Sequence, residues 1–245
     1  YDDNDRLLTS LKVIGQVDDG VNLETDDTTT TYGYTGTQQT SKTVTGTYTS
    51  QTLSVVDYEY NLQNRMSKVV IDTYDSNGDV VKKETTTYAY NDMGMRVGST
   101  HKVEEDTDQN PATALVVTSE TETIYLVDDM NATGYAQVIE EIVREVATQS
   151  VVKNLVFTLG LDILNQTSVD PATSNAGSQL TLMYDGFGST RALLDATAAF
   201  VQQYTYTAYG LAIGFDEAQA LTSHLYRGEW FDSIIRQLYL RKRWY

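Results

Sequence analysis

The chain has no cysteine. Disulfide staples, thiolate metal sites and cysteine nucleophiles are therefore excluded together. Imidazoles are scarce as well: His101 and His224 stand far apart, which leaves no His-rich metal motif. Long apolar runs are missing. Nothing approaches the ~20 residues that a membrane-spanning helix needs, so no membrane span is expected. Positive charge is also in short supply, with 17 Lys+Arg against 34 Asp+Glu and a net charge of -17. A generic nucleic-acid binder needs a cationic surface to displace counterions, so no nucleic-acid partner is expected. Proline occurs only 2 times.

What is abundant sets the class. Tyrosine occurs 18 times, and about one residue in seven is threonine, a strand former because its branched side chain packs well on a pleated surface. Charged residues, at 21%, are too few and too interspersed with aromatics for a disordered acidic tail. The composition predicts an all-β chain.

A tyrosine-centred unit recurs. It reads Tyr1-Asp2-Asp3-Asn4-Asp5-Arg6-Leu7, then Tyr58-Glu59-Tyr60-Asn61 through Met66, Tyr74-Asp75 through Val80, and Tyr88-Ala89-Tyr90-Asn91 through Val97. Weaker copies lie at Tyr32-Gly33-Tyr34, Tyr184-Asp185-Gly186-Phe187-Gly188 and Tyr204-Thr205-Tyr206 through Gly210. The steps from Tyr58 to Tyr74 and from Tyr74 to Tyr90 are both 16 residues. A Tyr-x-Tyr pair places two rings on one face of a strand, because side chains alternate with period 2. The Asn/Asp-rich stretch that follows supplies a turn, with Asn77-Gly78 and Met93-Gly94 tolerating positive φ. Arg or Val then starts the return strand. Repeated antiparallel hairpins follow, forming a curved, twisted sheet with tyrosine ladders between neighbouring strands.

Alternating runs between the units read as further strands: residues 42–49, 80–88 and 121–127. Residues 139–146 carry helix-like apolar spacing, but they are β-branched and flanked by strands, so the strand reading is preferred. Residues 104–112 and 169–178, with Asn110-Pro111 and Asp170-Pro171, read as turns or exposed loops.

The last third resembles a known family. Tyr184 through Asp195, with Gly186, Gly188 and Arg191, is similar to the "YDGLGSxRxLxD" stretch of the RHS repeat-associated core. Tyr204, Tyr206 and Gly210 fall on its "YxYDxFG", with Thr207 in place of the aspartate. Gly228 through Asp232, and then Tyr239, Arg241, Lys242, Arg243 and the two closing aromatics, resemble "GxxxD…GLYYLRARYY". There the family's Thr-Gly turn falls on Ile235-Arg236, without glycine. The segment 125–138 looks like one common before this core, and the tyrosine units (Tyr58, Tyr60, Tyr74, Tyr88, Tyr90) resemble the family's YD repeats. The family's "DPxxGRF" segment, which resembles a self-cleavage site, is not in this sequence, and no carboxylate here maps onto it.

The resemblance implies YD hairpins in residues 1–125 and a core-like region in residues 126–245, continuous in one sheet, forming part of a β-shell wall around a C-terminal effector or toxin. It implies a bacterial protein, secreted or at the cell surface. The partners are then the remaining shell and that effector. The shell reading also predicts tyrosines lining one face. The open strands at both ends suggest an excised piece of a longer polypeptide. They equally allow pairing with further copies of the chain, as a filament or surface layer.

Other chemistry is not apparent. Asp75-Ser76-Asn77-Gly78-Asp79 has oxygen-bearing side chains at alternating positions, but the calcium-loop glycine position is Val80 and the distal Glu position is Thr86, so a turn is expected and no metal. The acid pairs Asp2-Asp3, Asp18-Asp19, Asp26-Asp27 and Asp128-Asp129 read as solvated hairpin tips. Gly186 through Thr190 is neither a nucleophile elbow nor a phosphate loop. The two histidines have no nucleophile suggested nearby. Arg241-Lys242-Arg243 reads as a basic patch pairing with carboxylates of the wall. No catalytic residue and no cofactor are expected.

Overall fold

A computed structural model of the chain describes residues 1–2, 6–12, 27–47, 49–131, 136–160 and 162–240. The basic patch at 241–243 therefore lies outside the described residues, as do Asp3, Asp18-Asp19, Asp26 and part of the 125–138 segment. Fourteen strands pair in sequence order, each antiparallel neighbour following the last where the register is defined. They are β1 (Thr9–Lys12), β2 (Thr28–Thr35), β3 (Gln38–Gly46), β4 (Thr52–Tyr60), β5 (Met66–Tyr74), β6 (Val80–Tyr90) and β7 (Arg96–Glu105). Then come β8 (Val116–Asp128), β9 (Gln137–Glu145), β10 (Val151–Leu159), β11 (Ile163–Val169), β12 (Ala176–Tyr184), β13 (Thr190–Leu194) and β14 (Phe200–Gln203). A separate hairpin, β15 (Trp230–Asp232) and β16 (Gln237–Tyr239), closes the described chain. The sheet is open, with β1 and β14 at its two ends. Position 125 falls inside β8.

The repeat corresponds to one turn, made by the same two backbone hydrogen bonds at six places among the described residues. In the copy at Asp75, the Asp75 N–H donates to the Asp79 carbonyl at 2.9 Å, and the Gly78 N–H donates to the Asp75 carbonyl at 3.2 Å. The Asp75 carboxylate accepts from the Asn77 and Asp79 N–H groups at 2.8 and 2.9 Å. Asn61, Asp185 and Asp195 close their turns with the same pattern, and Asn91 accepts at its side chain from the Met95 N–H alone, at 2.8 Å. A short side chain with an acceptor is needed at the first position, because it replaces the ladder bonds that the turn breaks. The fourth position takes positive φ: Gly78, Gly94, Gly188 and Gly210 stand there, and Asn64 and Ala198 take the same conformation without being glycine. The sixth copy is at Thr207, where the hydroxyl accepts from the Leu211 N–H at 3.1 Å. The missing aspartate of that motif is thus replaced in function by threonine.

The register corrects three expectations. First, the residue before each turn is Tyr60, Tyr74, Tyr90, Tyr184, Leu194 or Tyr206. Tyr58 is not equivalent to Tyr74, so the 16-residue spacing does not mark a structural period. Second, Tyr58 and Tyr60 share a face with Val56, which pairs with Ile71, while Tyr74 alternates with Asp72 onto the opposite face. The physical reason is that successive turns lie at opposite ends of the strands, with one extra residue on the return strand where the register shifts. The tyrosines therefore do not all line one side. Third, the strand read at 42–49 ends at Gly46. Glu104-Glu105 belong to β7 and residues 176–178 to β12, which shortens both expected loops. Residues 139–146 form a strand through Glu145, as the flanking strands suggested.

The chain divides into two compact units, Tyr1–Tyr88 with Thr100–Glu120, and Ala89–Ser99 with Thr121–Tyr245. In the first, the buried row is Tyr58, Val69 and Thr86, cross-strand neighbours on β4, β5 and β6. In the second, Tyr125, Leu155, Phe157, Leu182 and Leu193 line the sheet and are covered by Tyr204, Leu225, Trp230 and Tyr239.

Candidate functional site

The three C-terminal motifs converge in the second unit. Thr190, at the start of β13, is fully buried and donates its hydroxyl to the His224 carbonyl at 2.6 Å and its N–H to the Leu225 carbonyl at 3.0 Å. Ser189 accepts from the Arg227 N–H at 3.1 Å. A Cβ on Gly228 would stand 3.2 Å from the Gly188 carbonyl oxygen, so two glycines let the backbones meet. Gly210 approaches the Tyr226 ring, whose hydroxyl donates to the Ala208 carbonyl at 2.8 Å. Together these contacts seat a strap, residues 222–232, on the core face of the second unit's strands.

At the strap's end is a buried ion pair inside an aromatic box. Arg96 Nη1 lies 3.1 Å from Asp232 Oδ2, and the arginine side chain is 3% exposed. Its guanidinium carbon is 4.6 Å from the centre of the Tyr239 ring, 4.8 Å from Tyr125 and 5.6 Å from Trp230. The Arg96 N–H also donates to the Tyr239 hydroxyl at 3.1 Å. A cation out of water is stabilised by a fixed anion and by ring faces, and here it has both. Burial pushes the Tyr125 phenol up to about 12, against the opposing pull of Arg96.

His224 is wedged beside this box. Its ring stands edge-on to Phe157 at 5.0 Å and to Trp230 at 4.9 Å. Burial lowers its pKa to about 3, and Nδ1 has no hydrogen-bond partner. Burial likewise raises the Tyr204 phenol to about 12, and raises those of Tyr184 and Tyr206. A cavity of about 260 Å³ opens here, lined in part by Tyr184, His224, Glu229, Trp230 and Tyr239. Arg96 also lines it and already lies over the two ring faces that a ligand cation would seek. The arrangement holds a strap in place and leaves His224 facing rings.

The remaining motif residues are distributed along the sheet. Tyr60 and Tyr184 donate their hydroxyls to the Gln39 and Ile163 carbonyls, both at 2.8 Å, which ties a turn to the preceding strand. Tyr58 and Tyr88 are buried in the first unit and Tyr90 packs against the core of the second. Arg191 accepts the Tyr204 N–H at its carbonyl, and its guanidinium lies 5.8 Å from the Tyr206 ring. Asp195 closes its own turn at the opposite strand end. Gly186 meets open space. His101 accepts or donates at Nδ1 to the Thr86 hydroxyl, 3.0 Å away, in the first unit. Among the described residues no three metal-ligating side chains cluster. The box residues Arg96, Tyr125, Trp230 and Asp232 were not singled out as site residues from sequence. Arg96 and Asp232 are 136 positions apart, and no local pattern joins them.

The Ile235-Arg236 hairpin forms without glycine. Arg236 takes φ 56, and Asp232 accepts from the Ile234 N–H at 3.1 Å.

No family model matches the chain, and no curated protein matches it. Solved structures do show similarity. A TcdB2-TccC3-Cdc42 crystal structure is 11% identical over 89% of this chain, with a TM-score of 0.37. TcdB2-TccC3 without its hypervariable C-terminal region is 12% identical over the same share, with a TM-score of 0.34. A Tc holotoxin pore of Photorhabdus luminescens is 12% identical over 89%, with a TM-score of 0.28. The chain spans only 16% of each of these structures' own length.

Proposed function

We propose that the chain is a wall segment of an RHS/YD-repeat shell, a non-catalytic part of a longer, secreted or cell-surface polypeptide that encloses a C-terminal effector or toxin. The observation that carries this reading is the turn. The Tyr-Asn/Asp step that marks the repeat in sequence is the step that ends one strand and closes its hairpin at 60–61, 74–75, 90–91 and 184–185. A repeat whose defining residues are all spent on turn closure builds wall and leaves no side chain for chemistry. The excess of 34 acidic over 17 basic residues keeps such a wall soluble and attracts a basic cargo. Intact-mass and terminal-sequence analysis of the protein from its natural source tests the reading. A mass far above 27.3 kDa is expected. A mass near 27.3 kDa overturns it.

One observation favours the second reading, self-assembly by strand addition. The end strand β14 exposes Phe200 and Val201, at 67% and 43%. Exposed apolar end strands pair readily. Light scattering of the isolated chain separates the two, and a concentration-independent monomer overturns assembly.

A further inference from the structure

We propose that His224 makes the seating of the 222–232 strap acid-sensitive, so that lowering the pH releases the strap from the core of the second unit. The strap is the covering layer at this point. Thr222, His224, Leu225, Trp230, Phe231 and Asp232 are all buried in it. Its imidazole sits between Phe157 and Trp230 with Nδ1 unpartnered, and the strap's backbone is held from the other side by Thr190. Among the described residues no carboxylate is hydrogen-bonded or ion-paired to the ring. Arg96, a cation, lies over the same Trp230 ring, and the Asp232 carboxylate is engaged by Arg96. Glu141 on β9 is paired with Lys153 through Oε1 at 2.8 Å, and its Oε2 is buried without a hydrogen-bond partner. Glu229, Asp162 and Arg227 line the cavity beside it and carry one net negative charge between them.

The seated ring is therefore neutral, whereas a released ring in water takes up a proton near pH 6.5. The sign follows. The seated pKa, about 3, lies below the released value, so the seated state is favoured fully above pH 6.5 and loses ground as pH falls. Between those two values the release equilibrium shifts about tenfold per pH unit. Trp230 leaves with the strap, and with it the wall of the cavity and the partner of Arg96.

The test uses the full 245-residue chain with Trp244→Phe, so that Trp230 is the remaining tryptophan. Its emission, and hydrogen exchange at the Leu225 and Phe231 amides, are followed from pH 7.5 to pH 3. These amides donate to the Glu229 and Ser223 carbonyls in the seated strap. The expected result is a red shift and a loss of protection of about tenfold per pH unit below 6.5, beyond the intrinsic pH effect. His224→Phe keeps a ring and cannot titrate, so its strap should hold flat across the same range. His101→Gln should behave as the parent does. An equal pH response in His224→Phe overturns the proposal. Should that variant not fold, the NMR titration of the His224 ring in the parent decides. A ring that stays neutral well below pH 6.5 and takes up its proton in step with the loss of protection at Leu225 and Phe231 supports the proposal, whereas an ordinary midpoint near 6.5, or a ring silent to pH 3 with both amides still protected, overturns it.

Discussion

In the first unit a buried row of Tyr58, Val69 and Thr86 crosses β4, β5 and β6, and the Thr86 hydroxyl bonds His101 at 3.0 Å, 15 positions away. In the second unit the row Phe157, Gln166 and Leu180 crosses β10, β11 and β12 in the same way, but it is joined by a strap that carries Leu225, Trp230 and Phe231. The two units use the same hairpin. They differ in where their specific energy lies. A threonine-rich hairpin surface satisfies itself locally, through its own turn side chains and cross-strand neighbours. A strap must be recognised from far along the chain, and that requires side chains whose partners are unique. Arg96 and Asp232 are such a pair.

The sharpest way to break this comparison is to remove one partner of an ion pair in each unit. Arg96→Met leaves the Asp232 carboxylate buried without its arginine counter-charge, and should cost about 3–5 kcal/mol in denaturant unfolding. Lys68→Met removes the partner of Glu59 at 2.9 Å, a pair whose side chains are well exposed, and should cost less than about 1 kcal/mol. Equal losses would mean that the strap contributes nothing special. The linear free-energy slopes should also be read, since loss of the strap without loss of the sheet would lower the slope for Arg96→Met alone.

Glycine at the fourth turn position offers a finer cut. Gly78 and Gly210 have nearly the same φ, 90 and 88. A Cβ on Gly78 meets nothing within 4 Å, so Gly78→Ala should cost only the left-handed strain, about 1–2 kcal/mol. A Cβ on Gly210 would stand 2.6 Å from Tyr226 Cδ1. Gly210→Ala adds displacement of that ring to the same strain, for a total of roughly 2–5 kcal/mol. Thermal unfolding of the two variants side by side checks the difference. A match between them would show that the Tyr226 ring moves aside freely.

Acid sensitivity should separate the units as well. Glu84, in the first, is held below the ordinary carboxylate range chiefly by His101, whose Nε2 is 3.6 Å away, and then by Lys82, against the opposing effect of burial. A lowered folded-state pKa means stability that is present above the unfolded value and lost as pH falls through the folded one. The parent should therefore exceed Glu84→Gln in stability at pH 7, and the margin should shrink below about pH 4.5. His224 in the second unit begins to act two pH units higher, from about 6.5. Unfolding curves at pH 7, 5.5 and 4 distinguish the two.

Much of the hairpin was legible because it is local. Asn or Asp at the first turn position and glycine at the fourth lie three residues apart, and the backbone needs an acceptor at one and positive φ at the other. The face of Tyr74 was not legible, because it depends on which end of the sheet its turn occupies, a property of the whole hairpin order. The strand at 137–145 shows the reverse. Its apolar spacing fits a helix, its β-branched residues and flanking strands favour a strand, and the register against β8 and β10 agrees with the strand. The box around Arg96 was invisible for a different reason. Its members come from β7, β8, β15 and β16, and each alone is an ordinary strand residue.

The smallest expected effect concerns the turn at Thr207, which has a hydroxyl where the other described copies have Asn or Asp. The Thr207 side chain accepts one bond, from the Leu211 N–H at 3.1 Å, whereas the Asp185 carboxylate accepts from both the Phe187 and the Ser189 N–H groups, at 2.9 and 3.0 Å. A carboxylate accepts more strongly than a hydroxyl, and its reach covers both donors. Thr207→Asp should then stabilise the second unit by a few tenths to about 1 kcal/mol, read as a rise in Tm. Its converse, Asp185→Thr, should cost a similar amount. If Thr207→Asp destabilises instead, the turn beside Tyr206 is set by the strap and the Tyr226 ring, and the local rule that governs the sheet ends at β14.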